Sequence, residues 1–185
     1  RPIPLAARAA PMKHTPLEPL FLAQAKRSEL AHALATAPPA DPMCIAGFRY
    51  LGLSLGLPAW VDRLAWSIFE KDFVQDGGQV RGWNVRLEQQ VWRPEIQPTP
   101  LLRNGKPICF GYFQVTTGQT GTLLDYGQGN NPALDPTRLI RDPLVALDPA
   151  HTWLLGQSRV QLGPWQVGTP SYFLLRRLTK VAYRP

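Results

Sequence analysis

The stretch Val80-Arg81-Gly82-Trp83-Asn84-Val85-Arg86-Leu87-Glu88 alternates. Trp83, Val85 and Leu87 share one side, and Asn84, Arg86 and Glu88 share the other. A two-residue period marks a strand with one face buried and one face wet. This run belongs to a strand expected over 79–92. Further strand-like runs follow at 106–116, 121–126, 137–147, 152–162 and 172–181, separated by turn residues. Strands at so regular a spacing predict an antiparallel barrel or sandwich, and closure into a barrel removes the exposed edges. The expected fold class is therefore mainly β: an antiparallel, lipocalin-like barrel with one or two helices packed on it or capping it.

The turn residues support this reading. Asn104-Gly105 between Leu101-Leu102 and Ile108-Cys109-Phe110 is a strong hairpin signal. Asp76-Gly77-Gly78 marks the turn after which the main sheet is expected to start. Pro143 cannot donate to a ladder, so its strand should be an edge or carry a bulge. The polar loop from Gly127 to Pro136 is long for a compact domain.

Ahead of the sheet, residues 17–35 have a helical stripe of Leu17, Leu20, Phe21, Leu30 and Leu34, with Thr15-Pro16 as its start. Pro38-Pro39 ends it. Residues 45–52 fit an opening strand. Residues 58–69 read as a second helix, with Trp60, Leu64 and Ile68 one turn apart. The expected organisation is a single domain: a disordered tail over 1–14, a helical lead segment over 15–75 packing on the barrel, and the barrel itself over 76–185. Tyr172-Phe173-Leu174-Leu175 is apolar on both faces, so the outer wall also needs a cover, for which the helices are available.

Of the 185 residues, 44% are apolar and 18% charged, which supports a core and argues against global disorder. No run reaches the roughly eighteen apolar residues of a membrane-spanning helix. A soluble protein is expected, with the cytoplasm favoured. Cys44 and Cys109 have apolar neighbours. They read as two buried thiols, with a disulfide between them as the alternative. The net charge of +7 is concentrated late in the chain, where Arg176, Arg177, Lys180 and Arg184 occur without an acid among them. They offer a docking surface for an anionic partner, or simply keep the final strand soluble.

Catalytic and metal motifs are not evident, and no cofactor is expected. His14, His32 and His151 share no ligand spacing. Asp125 and Asp142 lie in strand-like runs and are the candidate bases if the barrel is an enzyme, although ordinary surface roles fit both. The six tryptophans suit either core packing or an aromatic-lined cavity. With the apolar side of each strand turned inward, the expected ligand-binding residues are Trp83, Val85, Leu87, Phe113, Trp153 and Phe173. A one-residue slip reverses such a facing.

Several short pieces, Pro38-Pro39-Ala40-Asp41, Gly47-Phe48-Arg49-Tyr50-Leu51-Gly52, Trp66 through Lys71-Asp72-Phe73, Leu155-Gly156 and Tyr172-Phe173-Leu174-Leu175-Arg176, resemble those of small bacterial barrel proteins named for a GXWXG motif. The resemblance implies a lipocalin-like barrel, in a family of largely unassigned function for which binding of a small hydrophobic ligand is the usual expectation. The functional expectations are thus binding of a small hydrophobic or amphipathic molecule in a barrel cavity, an isomerase or cyclase using a pocket aspartate, or an interaction module acting through the basic C-terminus.

Overall fold

The computed structural model describes residues 19–55, 67–93, 95–118 and 121–185. Its centre is a closed antiparallel barrel of eight strands. Two of them come from the region expected as helical lead: β1 (Phe48–Leu55) and β2 (Ile68–Asp76). Asp76-Gly77-Gly78 therefore does not precede the sheet. It joins β2 to β3 (Gln79–Arg86), pairing Asp76 with Gln79. Ile68 and Phe69, expected at the end of a helix, open β2 instead. Their alternation with Glu70, Lys71, Asp72 and Phe73 makes one face for the interior and one for the outside. The rest of that expected helix, the expected tail and Thr15-Pro16 lie outside the described residues.

After β3 the chain leaves the barrel and makes a small hairpin, β4 (Leu102–Arg103) and β5 (Lys106–Pro107). Its turn residues Asn104 and Gly105 both have positive φ, 53° and 76°, as a tight two-residue hairpin requires. The barrel resumes with β6 (Cys109–Gly118), β7 (Gly121–Asp125), β8 (Arg141–Ala146), β9 (Trp153–Leu162) and β10 (Trp165–Lys180). β10 pairs with β1 and closes the wall. Pro143 lies in β8, a strand of the closed wall flanked by β7 and β9, rather than on an edge. The ladder between β8 and β9 covers Leu144 to Ala146 only and lapses at Pro143, so the missing donor leaves a parting in the wall.

Among the described residues three short helices precede β1: α1 (Pro19–Leu22), α2 (Arg27–Thr36) and α3 (Pro42–Ile45). The stripe expected as one helix is thus broken in two. Leu22, Leu30 and Ala33 from α1 and α2 pack on Leu55, Val145, Leu155, Tyr172 and Leu174 outside the barrel. On another part of the wall, Trp92 and Ile96 cover Leu51, Ile68 and Leu87. The apolar outer faces of the strands are therefore buried, at on the order of 1.5–3 kcal/mol per large side chain. Inside, Ile45 of α3, Tyr50, Phe73, Val80, Leu154 and Leu175 belong to one continuous core. Tyr50, Phe73, Phe113 and Tyr126 stack edge to face or tilted in succession, with centroids 5.4–5.5 Å apart. Among the described residues no helix is long and apolar enough to cross a membrane.

Candidate functional site

The interior is not packed throughout. A cavity of about 180 Å³ remains, and its lining sets charged and polar side chains among aromatic ones. Lys71, Asn84, Tyr126 and Asp142 form its buried polar part, with Phe69 and Phe173 beside them. Ser54, Thr137, Ile140, Ser158 and Ser171 are only partly buried and form its more open side.

Strand periodicity assembles this floor. Phe69, Lys71 and Phe73 share the inner face of β2, and Asn84 pairs with Lys71 across β3. Asp142 points inward from β8 beside the parting at Pro143. Tyr126 follows the last residue of β7 and is set by the loop after it. There Asn131 donates to the carbonyls of Tyr112 and Tyr126 at 2.6 and 2.8 Å. Asp125 accepts from the N–H groups of Gly127 and Gln128 and pairs with Arg141 at 2.9 Å. Asp125 thus shapes the long polar loop, and Asp142 is the only one of the two candidate aspartates that lines the cavity.

The Lys71 ammonium donates to Asn84 Oδ1 at 2.7 Å and to the Tyr126 hydroxyl oxygen at 2.5 Å. It also lies 5.1–5.4 Å from the ring centres of Phe69, Phe113, Tyr126 and Phe173, where the electron-rich faces favour a cation. Three of these rings press on glycines of the wall. A Cβ at Gly52, Gly82 or Gly156 would come within 2.2–2.5 Å of the rings of Phe69, Phe113 or Phe173. The glycines let the rings lie back and leave room for the ammonium and the cavity.

Lys71 and Asp142 are each 2% exposed. Burial pushes Lys71 down to about 8, against the pull of the Asp142 charge. Burial pushes Asp142 up to about 6, and the Lys71 ammonium holds it from rising further. Tyr126 is raised well above its ordinary value, first by burial and then by the Asp142 charge. The Asp142 carboxyl is hydrogen-bonded by Tyr126, Ser158 and the Arg159 backbone, while among the described residues its Oδ1 has no hydrogen-bond partner. Burying an ion costs several kcal/mol even after relaxation, and an unpaired carboxylate oxygen adds to that. Such an arrangement is a poor way to stabilise a barrel and a good way to meet a polar ligand or move a proton.

The residues expected to line a cavity are dispersed. Phe173 lines it, and Phe113 packs against the Lys71 ammonium from the core. Trp83 and Val85 instead pack outside with Val74, Cys109, Tyr112 and Val181. Leu87 packs outside with Leu51 and Ile68. Trp153 joins the cluster under α1 and α2. On β3 the apolar face is the outer one, because chain segments cover it, and the polar face with Asn84 is the inner one.

Other candidates have structural roles. His151, held at φ +55°, accepts the Asp41 N–H on Nε2 at 2.9 Å, and its carbonyl accepts from the Tyr50 hydroxyl. Arg176 donates to the Ile96 carbonyl, and Arg177 to Tyr50 and Cys44. Half of the basic C-terminal set is therefore engaged within the fold. Cys44 and Cys109 are free thiols, Cys44 exposed and Cys109 half-buried, so neither the fully buried reading nor the disulfide holds. Among the described residues no group of acidic, histidine and cysteine side chains is arranged to hold a metal ion.

No family model matches the chain, and no curated protein matches it.

Proposed function

We propose that the barrel is an isomerase-type enzyme that binds a small amphipathic carbonyl compound and moves a proton within it. The observation that supports this most is the buried Asp142 carboxylate, whose Oδ1 has no partner among the described residues, sharing a cavity with the Lys71 ammonium. The ligand's carbonyl oxygen takes a hydrogen bond from Lys71, which spends two of its three N–H donors on Asn84 and Tyr126. Asp142 removes a proton from the carbon next to the carbonyl. The C–H electrons become a carbon–carbon double bond, and the carbonyl π pair moves onto oxygen, where the ammonium stabilises it. Where the substrate carries a β,γ double bond, the dienolate extends to the γ carbon; Asp142 returns the proton there, the pair on oxygen re-forms the carbonyl, and the double bond shifts to lie between the α and β carbons, which completes an isomerisation. A base raised to about 6 and an acid lowered to about 8 suit such chemistry near neutral pH. The cavity is smaller than those that enclose drug-sized ligands, which favours a small molecule or the head of a longer one.

The test is proton exchange in deuterated water. A panel of small ketones is incubated with the protein, and loss of the α-proton signal is followed by NMR. Asp142→Asn is expected to slow exchange at least a hundredfold. Exchange no faster than in buffer with every ketone, or equal rates with the variant, overturns the reading. A passive binding protein for the same ligands would take up the ketones without exchange.

A further inference from the structure

Beyond the rim of the barrel, β9 and β10 continue as a two-stranded hairpin turned at Gly163-Pro164. Its two faces differ. Ser158 lines the cavity, and side chains of the same parity on β9 are Val160 and Leu162. Val167 and Trp165 on β10 pair directly with Val160 and Leu162, so they share that face. The opposite face carries Arg159, Gln161 and Gln166. Val160 also bridges to Ile140, itself a cavity-lining residue. An apolar track therefore runs from the cavity through Ile140 and Val160 to Val167, Leu162 and Trp165. Leu162, Trp165 and Val167 are 52%, 72% and 49% exposed, although large exposed apolar groups gathered on one face mark an interaction site. The pairing register slips between Gly168 and Tyr172, where β10 leaves the wall. Four residue steps separate Ser158 from Leu162, on the order of 13 Å at the rise of a strand.

We infer that this hairpin face seats the apolar tail of the ligand, so that the substrate is a chain-bearing carbonyl amphiphile rather than a compact molecule. The inference rests on the reading of the cavity as the seat of the carbonyl head. The track's continuity with the cavity lining selects this occupant: the face begins where the cavity opens, and only the hairpin's other side is polar.

The experiment is calorimetric titration of the full chain with methyl ketones of increasing length, from butanone to dodecanone. Wild-type and Leu162→Ser/Trp165→Ser proteins are compared. Both substituted side chains are exposed, so the fold should tolerate the change. Wild-type affinity is expected to rise with chain length, by about fourfold per methylene where burial is full. In the variant the rise should stop once the chain leaves the cavity, with the shortest ketones bound equally well by both proteins. An unchanged chain-length series in the variant overturns the inference and leaves the head-group reading standing. Binding by no ketone of the series overturns both. If the variant loses self-association or vesicle binding while its ketone series is unchanged, the face belongs to a second copy or to a membrane, and the inference fails.

Discussion

Lys71 is buried in the barrel, and its charge is met by two hydrogen bonds, four ring faces and the Asp142 carboxylate. The Asp142 carboxyl depends on that charge in return. Replacing Lys71 by Met keeps the stem and fills the aromatic cage, while removing the charge. In Lys71→Met the Asp142 pKa should rise further, read by carbon NMR of the labelled carboxyl. An unmoved titration would mean the two groups do not act on each other. Lys71 was legible in part. A lysine alternating with Phe69 and Phe73 is an anomaly on an apolar strand face, but reading the residues before it as a helix hid the period. Asp142 was legible as an aspartate in a strand-like run. Asn84 was misread, because the polar side of an alternating strand is ordinarily the wet one.

At the scale of elements, β2 has two chemically loaded faces. Its outer face sets Asp72 beside Glu70, which pairs with Arg49 at 2.6 Å. Burial, and then the Glu70 charge, push Asp72 up to about 8. An acid whose folded pKa exceeds its unfolded value contributes stability that is complete below the unfolded pKa, near 4, and is lost as pH rises through the folded value. The wild-type protein should therefore lose thermal stability between about pH 4 and pH 8. Asp72→Asn should flatten that loss and melt higher than wild type at pH 8. Parallel melting curves at every pH would contradict the shift. The inner wall offers a second test, at β9. A methyl group at Gly156 would lie 2.2 Å from the Phe173 ring. Gly156→Ala should cost about 1–3 kcal/mol, as overpacking does, and should weaken ketone binding as Phe173 is driven into the cavity. Denaturant unfolding and titration read the two effects.

For the whole molecule, an eight-stranded barrel of this kind is wrapped on much of its outside. Leu30→Ala, beneath α2 and outside the barrel, should cost about 2–5 kcal/mol in denaturant unfolding while leaving α-proton exchange unchanged. The barrel itself was legible from strand spacing and turn residues, and the need for an outer cover followed from strands apolar on both faces. The contribution of β1 and β2 was harder to read: glycines weaken the first as a strand signal, and the second adjoins a segment with helical spacing. The facing of β3 could not be read from β3 alone, because it depends on which segments return to cover the wall. That same fact left the polar inner residues for the site.

The sharpest measurement is the pH profile of α-proton exchange in a small ketone held below saturation. Exchange should rise through about 6 as Asp142 ionises and fall above about 8 as Lys71 loses its proton. Asp142→Asn should abolish the rising limb, and Lys71→Met the falling one. A profile without either limb, or one that both variants leave unchanged, would contradict an acid–base role for the cavity.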